Sequence, residues 1–394
     1  MTVRRPPLGT HRGLSARVRG ELRSCLDWKR SLGKSRGHLG ALDAARAAAR
    51  ADRLSVKALV CVLVVLVGLV RAPGAGATLA YATGGFPSTP PKLPQPEWVW
   101  AANDDGSAAH RLARGGAPHV SPDGKLVAYA SAHGLAVIPA AGGQPRTLIA
   151  SGWQDEPTLA WSPDSKTLVA VVGKSEITPK HLVWIDAASG RVLRTIAGGY
   201  DFFGVDFSPD GTRIVYTRAP SVKVGTDLFI AALATGRVRQ LTRDRQSSAA
   251  LWGRRWIAFS RSRKPARAND APKLDLYLVR PAGTDLHRLT FTNPGFLLAG
   301  LVPIAWSQGG RLLAEFVGQD TSYAETVSST TGQVRRVGTA ARGLVGWGLS
   351  RDGARILATT GGPDPGDSNV VSLPYAGGTL SVLARHAHSP DWNA

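Results

Sequence analysis

Val120-Ser-Pro-Asp-Gly124, Trp161-Ser-Pro-Asp-Ser165 and Phe207-Ser-Pro-Asp-Gly211 are three copies of one unit: a large apolar residue, a tight polar turn, then a short β-rich run. In such a turn Pro presets φ at the second position, Asp suits the third, and Gly accepts positive φ. Looser copies follow at Trp252-Gly-Arg-Arg255, Trp306-Ser-Gln-Gly-Gly310 and Leu349-Ser-Arg-Asp-Gly353, with a truncated one at Pro390-Asp-Trp392. From one apolar anchor to the next the steps are 41, 46, 45, 54, 43 and 43 residues. A period of roughly 40–50 residues is that of a four-stranded propeller blade, which must stack on its neighbours to bury its faces.

Between anchors the grammar repeats. In the first full unit Pro118-His-Val120 reads as an inner strand and Leu126-Val-Ala-Tyr-Ala130 as a second strand covered on both faces. Leu135-Ala-Val-Ile138 is the third strand, and Arg146-Thr-Leu-Ile149 is the outer one. The chain ends complete each other. Leu79-Ala-Tyr-Ala82, Trp98-Val-Trp100 and His110-Arg-Leu112 supply strands two to four of a blade whose first strand is Ser389-Pro-Asp-Trp392. Closing the ring this way removes the open sheet edge. The expected fold is all-β: a propeller of four-stranded antiparallel blades over 78–394, with seven blades, or six if the short-turned Trp252 copy is not a full blade.

The Ser-Pro-Asp-Gly turns behind Trp or Phe, the Ile214-Val-Tyr216 type of strand, and outer strands ending as in Gln240-Leu-Thr242 resemble the WD-repeat-like propeller of the TolB family. The resemblance covers nearly everything from Leu79 to Trp392. The best-known members of that family have six blades and an α/β domain ahead of them. Similar blades also gate prolyl-oligopeptidase and dipeptidyl-peptidase hydrolases, so the motif speaks to fold more than to function.

Ala58-Leu-Val-Cys-Val-Leu-Val-Val-Leu-Val-Gly-Leu-Val70 is an apolar run of 13 residues, behind Arg53 and Lys57 and ahead of Ala75-Gly-Ala77. That length suits a signal-peptide core of about 7–15 residues better than a span of about 20. Residues 54–77 are therefore expected to be a signal peptide cleaved near Ala77, or a membrane anchor through 58–70, either way placing the propeller outside the cytoplasm as a periplasmic, secreted or anchored domain. Residues 1–53 form a basic leader expected to be disordered; translation starting near Leu54 or Val56 would leave it unmade. The net charge is +20, and from Thr78 onward 33 basic residues still face 24 acidic ones. That balance suits an anionic polymer or surface, but no groove-reading motif accompanies it, so no specific nucleic acid is expected. Only Cys25 and Cys61 exist, so the propeller has no disulfide.

With this strand order, the connections from second to third and from fourth to first strands share one face. They are the long ones, including residues 84–97, 173–180, 218–226, 263–273 and 361–367, and variable loops on a rigid ring mark a binding side. Candidate ligand-binding residues there are Trp153, Asp155, Glu156, Tyr200 and Asp201, aromatic–acid pairings suited to a sugar or cation. Arg263, Lys264 and Arg267, with Arg261 and Lys273, suit an anionic partner. The simpler reading is that the acids end strands, the aromatics pack between blades and the cations are solvated. His386 and His388, with Asp391 nearby, are weak metal candidates. Asn103-Asp-Asp-Gly106 lacks the later oxygen ligands of a calcium loop and reads as a turn. No Gly-x-Ser-x-Gly elbow, catalytic thiol or phosphate loop is present in the repeats, so no catalytic residue and no cofactor is expected. The expected function is an exported, non-catalytic module binding an envelope protein or glycan. The alternative is a propeller enzyme of the polysaccharide-lyase or lactonase kind, with its site at the channel mouth, and a third possibility is the outer sensor of a membrane complex.

Overall fold

The turns are closed by their own side chains. Ser121 Oγ donates to Asp123 Oδ1 at 2.7 Å and accepts from the Leu126 amide at 3.0 Å, while Asp123 Oδ1 takes the Lys125 amide at 3.1 Å. The same Ser–Asp cap recurs at Ser162–Asp164, Ser208–Asp210 and Ser350–Asp352, at 2.6, 2.5 and 2.6 Å. The serine hydroxyl holds each of these three carboxyls below its usual range, Asp210 at about 2. Gly211 sits at φ +68°; Ser165, at φ +61° in the matching position, offers its hydroxyl to the Asp123 amide of the neighbouring turn at 3.0 Å.

A computed structural model describes residues 78–85, 95–150, 158–173, 178–221, 224–263, 273–292, 299–318, 321–339, 342–361 and 368–393. The signal or anchor segment, the leader and Trp153, Asp155, Glu156, Lys264 and Arg267 lie outside them. The described residues form no α-helix, and none of their elements is a helix long and apolar enough to cross a membrane. They make seven four-stranded antiparallel blades. The innermost strands, from blade 1 to blade 7, are Ala387–Trp392, Gly116–Val120, Leu159–Trp161, Val205–Phe207, Ser247–Trp252, Ala299–Trp306 and Arg342–Leu349.

Blade 1 is assembled from both ends of the chain. Ala387–Trp392 lies antiparallel to Thr78–Gly85, with Leu79 opposite Trp392, Ala80 opposite Asp391 and Ala82 opposite His388. Gln95–Asn103 and His110–Arg114 complete the sheet. Beyond the paired strands the Thr78 amide donates to Asn393 Oδ1 at 2.5 Å, and the Asn393 amide to Thr78 O at 3.2 Å. Leu79, Ala80 and Ala82 are fully buried. The segment from Asn103 to Gly106 is the turn into His110–Arg114, and Asp104 reaches Arg355 of blade 7 at 2.5 Å.

The short-turned copy builds a complete blade 5. Trp252 pairs directly with Ile257, and Trp256 closes the shortened turn as Leu126 closes the full-length one, its carbonyl accepting the Gly253 amide at 2.9 Å. Blade 5 then joins blade 6 in one continuous sheet, because Lys273–Val279 pairs in parallel with Ala299–Trp306 at Leu274 and Gly300. A Cβ at Gly300 would fall 2.2 Å from that of Leu274, so only glycine fits.

The blades are stitched together along their innermost strands. Anchor tryptophans wedge against the preceding blade: Trp161 Nε1 donates to His119 O at 3.1 Å, Trp306 covers Gly253, and Trp392 lies beside Gly348. The residue just before an anchor reaches the next blade. Asp391 Oδ2 accepts the Val120 amide and Asp206 Oδ2 the Trp252 amide, each at 2.7 Å. Blade 6 has Ala305 at that position and instead uses the buried Glu315, which accepts the Gly346 amide of blade 7 at 3.0 Å.

These stitches have a pH signature. Burial raises Asp206 to about 7 and Asp391 to about 6, against the pull of their amide donors. A folded-state carboxyl that holds its proton more tightly contributes stability that is complete below about pH 4 and is lost as pH rises through 6 and 7. His119, lowered to about 4 by burial, acts oppositely, losing its contribution as pH falls from the ordinary 6.5 toward 4. It is common to wild type and variants, so comparison removes it. In chemical denaturation at pH 5 and pH 8, the double variant Asp206→Asn/Asp391→Asn is expected to gain roughly 1–3 kcal/mol on wild type across that interval. A gap that stays constant with pH would refute the assignment.

Candidate functional site

On the loop face of blades 3 to 6 the structure places Tyr200, Asp201 and Arg263, three of the residues to which the sequence pointed. Tyr200 exchanges both backbone hydrogen bonds with Ala219 at 2.9 Å, tying the end of blade 3 to blade 4. Asp201 follows at φ +45°, which turns the chain so that Phe202 enters the core beside Tyr216 and Phe229 while Phe203 is left 54% exposed. Tyr200 and Asp201 therefore position the connection, and the aromatic ring offered to solvent is Phe203.

Arg263 is not a loosely solvated cation. It ends the second strand of blade 5, Ile257–Arg263, and its Nε lies 2.6 Å from Oδ2 of Asp275, a carboxylate with no exposure at all. Arg288, on the outer strand, approaches the same oxygen at 2.8 Å. The other oxygen, Oδ1, accepts the Thr292 amide and hydroxyl, each at 2.9 Å. Arg263 Nη2 also donates to Thr292 O, and Arg288 Nε to Thr290 O, both at 2.8 Å. One buried negative charge thus pairs with two guanidiniums, whose hydrogen bonds run to the Thr292 and Thr290 carbonyls, leaving a net positive charge at the surface. Arg288 stacks 4.2 Å from the centre of the Phe291 ring, which is 74% exposed. Next to it, Arg261 pairs with Asp244 at 2.8 Å.

The sequence reading passed over Asp275, Arg288 and Phe291. The signal lay in the repeat itself. In blade 4, Asp227 opens the third strand and accepts the Thr242 hydroxyl at 3.1 Å and the Arg245 amide at 3.0 Å, just as Asp275, the third residue of its strand in blade 5, accepts from Thr290 and Thr292. An Asp in that register pins the end of its outer strand. Lys273 lies opposite Arg263 in the same sheet.

At the upper end of the innermost strands of blades 1 and 2, His388 Nε2 is 3.7 Å from Glu97 Oε1, and Glu97 lies over Gly116. Burial lowers the His388 pKa. His386 stands at φ +51°, so the chain bends between the two histidines rather than extending both to one side, and Asp391 is committed to the Val120 amide. The described residues contain no group of three or more His, Cys, Asp or Glu able to hold a metal ion. A cleft of about 660 Å³ opens on the opposite, tight-turn face, lined by Asp104, Gln308, Gly309, Ser350, Arg351, Asp352 and Arg355. Its Asp104–Arg355 and Ser350–Asp352 pairs already serve the seam and the turn cap.

Fold and site together define a seven-bladed propeller, closed by its own C-terminal strand, with a cationic and aromatic sector on its loop face. No protein-family model matches the chain, and no curated protein matches it in sequence. Solved structures do match. The β-propeller domain of the Trilobed protease from Pyrococcus furiosus superposes at a TM-score of 0.58 with 14% identity, over 79% of this chain and 93% of that one. That domain is described as having an open velcro topology, whereas here the two chain ends share a sheet. An oligogalacturonate lyase in complex with manganese gives 0.50 with 15% identity, over 79% and 86%. TolB from Acinetobacter baumannii gives 0.47 with 13% identity, over 80% and 82%. Such likeness establishes the propeller fold alone.

The two Asp devices make unequal contributions to stability. Among the described residues, Asp275→Asn removes the one charge paired with two part-buried arginines and is expected to cost roughly 2–4 kcal/mol in urea denaturation. Asp227→Asn, with no guanidinium to strand, is expected to cost about 1 kcal/mol. Equal losses would show that Arg263 and Arg288 do not depend on Asp275.

Proposed function

We propose that this chain is an exported, TolB-like propeller that acts as a non-catalytic protein- or glycan-binding module in the cell envelope, its partner anionic and held on the loop face of blades 3 to 6. The observation that carries this reading is the asymmetry of the two faces. Turns on one side are sealed by Ser–Asp caps. The other side leaves Phe203 and Phe291 in solvent, Phe291 beside an arginine paired with the buried Asp275. Exposed aromatics and ordered arginines are the residue types that anchor interfaces. Export is supported by the apolar run of residues 58–70 and the small residues that follow it. The residues Trp153, Asp155, Glu156, Lys264 and Arg267 belong to the same proposed face by their place in the repeat.

A second reading, a propeller enzyme with its site at the channel mouth, is favoured by the His388–Glu97 pair at the upper end of the innermost strands. A neutral imidazole beside a carboxylate is suited to moving a proton.

Two measurements separate the readings. Capture from an envelope extract is expected to drop at least tenfold when Phe203 and Phe291 are both changed to Ala, and to survive Arg254→Gln on the turn face; capture indifferent to the loop face would overturn the proposal. N-terminal sequencing of the mature protein is expected to begin just after Ala77, and a chain retaining residues 58–70 would replace export by anchoring. Turnover of an acidic polysaccharide that disappears in His388→Ala would establish the second reading.

A further inference from the structure

The repeats supply an internal control for the blade 5 cluster. Asp227 and Asp275 hold the same register and pin Thr242 and Thr290 in the same way. In blade 4 the residue two before that threonine is Gln240, whose amide donates to Asp227 Oδ2 at 3.2 Å. In blade 5 it is Arg288. Pinning an outer strand therefore needs no guanidinium, and blade 5 has acquired two. Arginine gives up considerable rotamer entropy when ordered. Asp275 has already imposed that order, so little remains to be lost when a ligand binds.

Phe291 is the third surplus. It follows Thr290 as Arg243 follows Thr242, and it stands in solvent with one guanidinium on its ring. Leaving so large an apolar side chain outside forfeits burial energy that a ligand would recover. The two groups lie within 4.2 Å of each other. A ligand engaging both must present an anion and a flat apolar face on the same rigid unit, about one ring across. A uronic-acid ring does so: its carboxylate matches a guanidinium fork, and the C–H face of its ring stacks on an arene. An acidic amino acid carries its charge on a flexible stem and would draw its apolar face from a separate residue.

We infer that Arg263, Arg288 and Phe291 form a preorganised receptor for a uronate residue of an acidic polysaccharide. The inference rests on the binding-module reading and names the chemistry of its partner. The propeller's excess of cations favours approach of such a chain, and the buried Asp275 sets the geometry of its capture.

The test is affinity electrophoresis of the full chain through polygalacturonate, poly-L-glutamate and an uncharged galactan. Retardation by polygalacturonate alone is expected. Phe291→Ala and Arg288→Gln are each expected to weaken it roughly tenfold, the loss of about one charge-assisted or stacking contact. Gln240 shows that glutamine suits the position in blade 4, and an unchanged thermal melt verifies that the variants fold. Arg254→Gln, on the turn face, is expected to leave retardation unchanged. Equal retardation by poly-L-glutamate would mean an acidic peptide or charge alone, and an equal loss in Arg254→Gln would mean a diffuse field; either overturns the inference. If polygalacturonate is ignored while envelope capture still depends on the loop face, the uronate receptor falls and the binding module stands. If both fail, so does the module.

Discussion

Ring closure depends on stitches between neighbouring innermost strands, and in blades 1, 2 and 4 the residue before the anchor makes them. Asp391 takes the Val120 amide, the His119 carbonyl takes the Trp161 indole, and Asp206 takes the Trp252 amide. A blade is apolar on both faces and is unstable alone, so every stitch serves two blades. Asp391 is the most consequential because it sits on the strand that brings the C-terminus into blade 1. Fixing it holds the C-terminal strand of blade 1 against blade 2, and the pairing of that strand with Thr78–Gly85 leaves no sheet edge open there. The carboxylates at these positions are costly to ionise, and each is offset by an amide donor that no apolar side chain could satisfy.

On that frame, individual blades have diverged without losing their geometry. Blade 5 shortens its turn and lets Trp256 close it, and blade 6 transfers its stitch from the innermost strand to Glu315. The third-strand Asp serves only to pin Thr242 in blade 4, yet in blade 5 the same device carries Arg263 and Arg288. Function in such a fold arises where a structural position acquires groups its structural task does not require. Comparing one repeat with another identifies those groups within a single chain.

The architecture was legible in the sequence because its determinants are local. Ser-Pro-Asp-Gly turns specify their own φ angles and caps, and the spacing of Trp161, Phe207, Trp252 and Trp306 gives the period directly. The shared blade was legible too, since a first strand at the end and three strands at the start complement each other. The neighbours of the candidate residues were less legible. Arg263 and the Tyr200–Asp201 segment stood out by their place in long connections, but which groups they meet depends on cross-strand register. Asp275 and Arg288 are 13 positions apart in the chain and face each other only through strand pairing, so neither stood out beside Arg263. Phe203 and Phe202 are neighbours of identical type; the positive φ at Asp201 precedes the pair, and composition does not reveal which of them faces out. His386 and His388 looked like a pair because alternation in a strand was assumed, and the bend at His386 breaks that alternation.

Amide hydrogen exchange of the intact chain tests the closed ring most directly. If the C-terminal strand seals blade 1, the amides of Ala80 and Ala82 should be protected as strongly as those of Val127 and Tyr129 in the centre of blade 2. Exchange of Ala80 and Ala82 at the rate of a frayed edge, with blade 2 still protected, would contradict it.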